Sequence, residues 1–418
     1  MTKEEETRSI PITKRMVWKA YQKVKSNRGS AGVDRVGLEE FQRNLDKNLY
    51  KIWNRLSSGS YFPPPVREVE IPKKDGRKRK LGIPTVGDRI AQQVLKGYLE
   101  PRLEEVFHDD SYGYRPLKSA HQAIESVRTN VRNYAWVIDM DIKSFFDEVD
   151  HELLMKALDK HVEEKWVKMY VKRWLEMPVQ EKTGHLRTKE GRGTPQGGVI
   201  SPLLANLFLH YSLDQWLAID YPHISFVRYA DDVIIHCSTE AEANHILASI
   251  KVRLQRCKLR LHEGKTKIVY CQDYRREKKQ YRVKFDFLGF SFQPRPMKSK
   301  RAEGKTFLGY DCAISKESRK KILAEIRATR FHRWSTGTIE DLARLLNPKL
   351  SGWVNYYGKF GRYQLNRLFR ILHNRLVRWV LNRYKSLKGS KRRAYAYLKQ
   401  LQKGNLIFYH WKKGFTNL

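Results

Sequence analysis

Apolar and polar positions recur with a period of two in some stretches of the chain and near 3.6 in others, and the changes of period predict its elements. Val66 to Ile71 (VREVEI) follows a break at Pro63 to Pro65 and alternates apolar and charged residues, as a half-buried strand does. Trp136 to Ile142 (WVIDMDI) is apolar on both faces and predicts a buried central strand, on which Asp139 and Asp141 point to the same side. Ile224 to Arg228 and Val233 to His236 are short β-branched runs flanking Tyr-Ala-Asp-Asp, which predicts a hairpin with Asp231 and Asp232 at its tip. Ser201-Pro202 ahead of LLANLFLHYSL predicts a helix with serine as N-cap and proline in the first turn. Leu365, Leu368, Phe369, Leu372, Leu376, Trp379 and Val380 share one helical face, and Arg367, Arg370, Arg375 and Arg378 take the other. Ile371 interrupts that polar side, which leaves room for a cover there.

Length and charge widen this picture. A chain of 418 residues allows two to four domains, and 41% hydrophobic residues exclude disorder throughout. Lysine and arginine number 82 against 45 acids, a net charge of +37 that calls for a polyanion: nucleic acid first, an anionic membrane second. The membrane weakens because no stretch of about 18 uncharged apolar residues exists to span a bilayer. The N-terminal MTKEEETRS is acidic and lacks an apolar run, so the expected location is the cytoplasm. Cys237, Cys257, Cys271 and Cys312 form no C-x-x-C pair, and reduced thiols without zinc are expected. From Ala313 onward 25 basic residues face 4 acids, so +21 of the charge lies in the last quarter. Ahead of it, Gln293 to Gly304 (QPRPMKSKRAEG) holds two prolines and a basic run and reads as a linker.

Two adjacent aspartates on a hairpin tip and a third on a buried strand suit a pair of divalent cations, and acids gathered inside so basic a chain ask for metal. Taken alone, Asp-Asp is also a common turn filler. The loop Thr194 to Gly198 (TPQGG) brings two glycines, which permit close approach of backbone.

The order of these segments resembles the palm of a reverse transcriptase, and the chain is identified as similar to the reverse transcriptases encoded by bacterial group II introns. The matching segments are V-E-I-P-K with LGIPT-x-x-DR-x-x-Q (Val69 to Gln92), SYGYRP (Ser111 to Pro116), DMDIKSFFDEVDH (Asp139 to His151), TPQGG-x-x-SPLLAN, RYADD, GKTK (Gly264 to Lys267) and FLGFSF (Phe287 to Phe292). Asn27 to Asp34 (NRGSAGVD) resembles the family's N-terminal extension, and Gly352 to Gly358 (GWVNYYG) its maturase or thumb block. The resemblance implies an α+β right-hand polymerase, with fingers and palm on antiparallel sheet and an α-helical thumb or maturase domain. The expected boundaries are an N-terminal extension over 1–62, fingers and palm over 63–292, a linker over 293–312, thumb and maturase over 313–395 and a basic tail over 396–418.

Site residues follow from the same resemblance. Asp141, Asp231 and Asp232 would hold two Mg²⁺ ions, with Mn²⁺ as a substitute; Asp139 falls outside the set, since the family places its aspartate five residues before the residue under the sugar, and Phe146 has that spacing from Asp141. Phe146 would be the gate that excludes a ribose 2′-hydroxyl, against the plain reading of a core aromatic. Lys73 and Arg79 would bind the incoming triphosphate, though the loop they share is crowded with solvated cations. Gln196 with its glycines would lie close to the templating pair. Lys265 would protonate the departing pyrophosphate, with His262 standing where the family commonly has asparagine, and Arg115 would belong to the nucleotide or nucleic-acid channel. Phe287 to Phe290 resembles the primer grip or else a packed β corner. The aromatics and arginines of the C-terminal block suit both a core and structured RNA.

The expected function is RNA-directed DNA polymerisation with binding of the intron RNA to assist splicing and mobility. Its partners would be RNA template, intron RNA, DNA primer or target and deoxynucleoside triphosphates, with no membrane. The alternatives are a splicing cofactor with a vestigial polymerase site, and a stand-alone host-defence or repair reverse transcriptase. No HNH endonuclease with cysteine pairs follows the maturase block, so second-strand cutting is not expected of this chain.

Overall fold

The alternating stretch after Pro65 forms strand β1 (Val66–Pro72) in the computed structural model, which describes residues 10–72, 78–298, 305–404 and 406–415. Two compact units divide the chain: Met1–Ala123 with Ile138–Lys267, and Ile124–Val137 with Ile268–Leu418. Each mixes helices with small, mainly antiparallel sheets, the α+β class expected.

In the first unit β1 pairs antiparallel with β2 (Lys78–Ile83), with Arg67 opposite Ile83 and Pro72 opposite Lys78. Alternation then sorts the cations of β2. Lys78 and Lys80 reach Glu70 and Glu68 across the ladder at 2.8 and 3.0 Å, which leaves Arg79 on the other face. Strands β3 (Trp136–Asp141), β4 (Val179–Gln180) and β5 (Leu186–Arg187) come next along the chain. The last two extend the first sheet in the order β2-β1-β4-β5. The segment Ile138 to Asp141 of β3 lies next to a hairpin of β6 (Ser225–Tyr229) and β7 (Asp232–Cys237), in the order β6-β7-β3.

Helix Lys14–Asn27 starts where the Thr13 hydroxyl accepts from the Met16 amide at 3.2 Å. It buries Val17, Ala20, Tyr21 and Val24 on one stripe against helix Val86–Glu104. The expected boundary after residue 62 therefore falls inside one unit, because the N-terminal helix shares a core with helix Val86–Glu104. Helix Ser201–Leu209 has proline in its first turn as expected, but Ser201 is already helical and makes no cap bond. Its start is capped from a distance: Gln92 Oε1 accepts from the Val199 and Ile200 amides at 2.7 and 3.2 Å.

The second unit contains β8 (Lys267–Tyr270) from its second residue on, then β9 (Phe285–Phe287), β10 (Phe290–Lys298) and β11 (Thr306–Ile314). β10 and β11 pair from Phe290 opposite Ile314 to Lys298 opposite Thr306, so the expected linker at 293–312 is strand over 293–298 and 306–312, and its residues 299–304 lie outside the described residues. Pro294 and Pro296 are two residues apart and so share one hydrogen-bonding phase. β9 pairs with β10 only over Phe290 to Phe292, so the prolines face an open edge where no N–H is required.

Helices Lys316–Ala328, Ile339–Tyr357, Arg362–Arg383 and Lys391–Gly404 close around a core in which the whole apolar stripe from Leu365 to Val380 is buried, while Ile371 remains 43% exposed. The expected basic tail at 396–418 is not a tail. Helix Lys391–Gly404 runs through the boundary, Phe408, Trp411 and Phe415 join the core, and Asn347 pins the segment by donating to the Ile407 carbonyl at 3.0 Å and accepting from the Tyr409 amide at 2.8 Å. Three aromatic anchors outweigh the lysines between them. No helix among the described residues is long and apolar enough to cross a membrane.

This core also holds two histidines as neutral rings. Burial lowers His373 to about 4, and burial with the neighbouring His373 lowers His410 to about 3. An unfolded histidine titrates near 6.5, so unfolding takes up protons below that value, and the stabilisation is complete above about 6.5 and lost as pH falls toward 4. Each ring should cost about 1.4 kcal/mol per pH unit across that window. We expect the urea midpoint of the tryptophan signal to fall between pH 7 and pH 5, and His410→Phe to lessen that fall, since His210 and His236 in the first unit are lowered by burial in the same way. An equal fall in the variant would show that other groups govern the acid sensitivity.

Candidate active site

The β6–β7 hairpin closes on the pair Tyr229 and Asp232, so Ala230 and Asp231 form a two-residue turn. Ala230 takes the left-handed conformation, φ 57°, which is unusual for a residue with a Cβ. Beside the turn runs the segment Asp110 to Gly113: the Arg228 amide donates to the Asp110 carbonyl at 2.9 Å and the Tyr112 amide to the Arg228 carbonyl at 2.8 Å. Glycine is required at 113, since a Cβ there would lie 2.3 Å from the Ala230 nitrogen.

Asp231 feels both a carboxylate and cations. Its carboxyl is raised above the ordinary range by burial first and also by the charge of Asp141, with a hydrogen bond from its own backbone, Arg79 and Lys265 pulling the other way. Lys265 Nζ lies 2.6 Å from Asp141 Oδ2. A tight turn holds the lysine there: the His262 amide donates to the Asp141 carbonyl at 2.8 Å, and the His262 carbonyl accepts from the Lys265 and Thr266 amides, both at 2.9 Å. Histidine in the place of asparagine leaves this turn hydrogen-bonded. Asp141, Asp231, Lys265 and Arg79 thus converge electrostatically, and Asp232 is the residue after the turn.

A cavity of about 430 Å³ adjoins β2, lined among others by Arg79, Gly82, Ser144, Lys189 and Gln196. Arg79 Nε donates to Gln196 Oε1 at 2.5 Å, and the Gly82 amide donates to the Gln196 carbonyl at 2.8 Å. Gly197, with φ 121°, comes so near that a Cβ would lie 2.5 Å from the Gly82 carbonyl oxygen. The loop is also tied to the strand-to-helix segment after β3, since the Thr194 amide donates to the Phe146 carbonyl at 2.8 Å. Phe146 is 8% exposed and Phe145 2%, the latter against Phe208 with ring centres 6.4 Å apart, so both are buried and Phe145 lies the deeper. Lys73 lies outside the described residues.

The structure corrects one expectation and adds others. Arg115 does not face a channel: its side chain is 4% exposed, pairs with Glu104 at 3.0 Å and donates to the His108 and Ser111 carbonyls at 2.6 and 2.8 Å. An arginine beside a run of carbonyls is drawn inward to satisfy them. Its neighbour Tyr114 stands by the turn, its hydroxyl raised by burial and then by the charge of Asp231. Lys189, which the sequence did not single out, lines the cavity with its ammonium buried and without a hydrogen-bond partner among the described residues, and is lowered to about 8 by burial. Asp88, fully buried and raised to about 6 by burial, accepts from Tyr61, Trp174 and Gln92, and so fixes the glutamine that caps the helix behind the loop. Its spacing to Gln92, one helical turn, was the available signal.

Residues 71–292 match the family Reverse transcriptase (RNA-dependent DNA polymerase), and residues 319–398 match Group II intron, maturase-specific domain. Among curated proteins, Protein YkfC from Escherichia coli (strain K12) is 35% identical over 58% of this chain and 73% of its own length. Group II intron-encoded protein LtrA from Lactococcus lactis subsp. cremoris is 35% identical over 47% of this chain, which spans a third (33%) of LtrA. A solved structure of telomerase from Candida albicans with the TWJ fragment of telomeric RNA aligns with 91% of this chain and 68% of its own at 13% identity, TM-score 0.47.

Proposed function

The chain belongs to the reverse transcriptase family, as an RNA-directed DNA polymerase with a group II intron maturase domain that assists splicing, and on that premise we propose how its own residues carry the reaction. The family works with divalent metal ions, binds RNA and uses nucleotide substrates. For this chain the metal is Mg²⁺, the primer and target are DNA and the RNA it assists is its own intron.

The carrying observation is that the Asp231 carboxyl is pushed up by burial and by the Asp141 charge between two cations. Two carboxylates forced together this way gain from a divalent cation. Among the described residues no three His, Cys, Asp or Glu side chains are gathered into a closed metal cage. Mg²⁺ does not need one, because it usually takes one or two carboxylates and completes its shell with water and substrate phosphate oxygens. Asp141 and Asp231 therefore fit, with Asp232 next along the chain as the third acid of the proposed set, and the bound ions would sharpen the attacking hydroxyl and stabilise the leaving oxygen.

In the reaction the primer 3′-hydroxyl gives its proton to water and its oxygen bonds to the α-phosphorus while the bond to the pyrophosphate oxygen breaks. Lys265 Nζ, beside Asp141, gives its proton to the departing pyrophosphate. Arg79, steered by Gln196, holds the triphosphate with Lys73, and the Gln196 backbone fixed on β2 bounds the templating pair. Lys189 in the same cavity adds a cation whose lowered affinity for its proton suits a polyanion nearby.

Phe146 is the residue under the sugar. Phe146→Val should raise incorporation of ribonucleotide relative to deoxynucleotide by about tenfold to a hundredfold, since excluding one hydroxyl by packing is worth about 1–3 kcal/mol. Single-turnover incorporation of each nucleotide measures the ratio, and an unchanged ratio would remove the gate from Phe146.

A further inference from the structure

Arg228 stands in the RYADD segment of a strongly basic chain, yet its side chain and that of Asp214 are both 0% exposed. The guanidinium grips Asp214 with two bonds, Nε to Oδ1 at 2.7 Å and Nη2 to Oδ2 at 2.5 Å. Its remaining nitrogen donates to Asn206 Oδ1 at 2.9 Å and to the Ala230 carbonyl at 3.1 Å. Asn206 in turn donates through Nδ2 to the Gly113 carbonyl at 2.8 Å. One buried network thus joins the turn that carries Asp231 to the segment that flanks it.

The chain deforms a helix to supply the acid. His210–Asp214 forms a π turn between helices Ser201–Leu209 and Gln215–Asp220, and Asp214 is its last residue. Widening to i→i+5 hydrogen bonds rephases the side chains beyond it, and such turns gather at functional sites. Asn206 comes from the preceding helix, so of the two groups that orient Arg228 one lies ahead of the distortion and the other at its end. The Ala230 carbonyl belongs to the left-handed residue, a conformation that persists only where its surroundings hold it.

We infer that Arg228, oriented by Asp214 and Asn206, is a positioning residue that fixes the left-handed turn at Ala230 and so aims the Asp231 carboxylate. The inference deepens the reading of Asp231 and Asp232 as metal ligands and rests on it. Lysine cannot replace this arginine, because one ammonium cannot span a bidentate carboxylate, an amide oxygen and a carbonyl at once.

The test uses full-length protein as the parent, Arg228→Lys, Asn206→Ala and Asp231→Ala, with Leu99→Ala as a core variant away from the network. Mn²⁺ binding is followed by electron paramagnetic resonance, and amide exchange of residues 229–232 by mass spectrometry without metal. Arg228→Lys and Asn206→Ala should bind Mn²⁺ about tenfold to a hundredfold more weakly and exchange faster at the turn, and Leu99→Ala should do neither. If Arg228→Lys does not fold, Asn206→Ala decides. Parent-like Mn²⁺ affinity and parent-like exchange in folded Asn206→Ala would overturn the positioning role. Should Asp231→Ala bind Mn²⁺ as the parent does, the ligand reading fails, and the exchange data alone judge the hold on the turn.

Discussion

Replacing Asp231 or Asp232 by alanine will stop nucleotide addition while RNA affinity stays near that of the parent. Burial and the charge of Asp141 raise the Asp231 carboxyl further than its backbone hydrogen bond, Arg79 and Lys265 lower it, so a divalent cation shared with Asp141 relieves it. Metal clamping of the transferring phosphoryl group is worth several kcal/mol, and at about 1.36 kcal/mol per tenfold the loss should be about a thousandfold or more. The basic surface is untouched, so RNA binding at fixed salt should change less than about twofold, as for surface substitutions outside a contact. Primer extension and filter binding on the same preparations measure the two quantities. Extension by either variant at the parent's rate would remove the acid from the metal site.

The second large effect concerns the C-terminal block. Helix Arg362–Arg383 buries its apolar stripe and leaves Arg367, Arg370 and Arg378 exposed, with no acid along its length. Arginines that neutralise phosphates release counterions, each contributing about −0.7 to −0.9 to the slope of log affinity against log salt. Replacing all three by glutamine should flatten that slope for structured intron RNA by about 2 to 3, so that affinity between 50 and 200 mM salt falls about 20- to 40-fold less than the parent's. The substitutions lie outside the core, so the urea midpoint should hold. Equal slopes would mean that this face is merely solvated.

Much of the site was legible because it lies in local spacing. Alternation placed β1, two β-branched runs placed β6 and β7, and the turn between them located Asp231 and Asp232. Within the basic loop, the same alternation separates Arg79 from Lys78 and Lys80, which have glutamates opposite them. What sequence could not give is where long side chains end. Arg115 and Arg228 both sit in motifs, and Arg115 was expected in the nucleotide or nucleic-acid channel, but each is buried on carbonyls and an acid. Their partners are set by tertiary approach, in the case of Asp214 through a π turn that no periodicity announces. Charge also misled at the C-terminus, where lysines suggested a tail although Phe408, Trp411 and Phe415 are core anchors. At Pro294 and Pro296 composition argued against a strand; the phase of the prolines and the open edge decided for one.

Primer extension by the purified chain on an RNA template, with Mg²⁺ and deoxynucleoside triphosphates, tests the central claim most directly. The account predicts full extension on RNA, abolished by chelating the metal and by Asp231→Ala. A protein that binds the primer–template and structured RNA tightly in Mg²⁺ yet adds no nucleotide would contradict it.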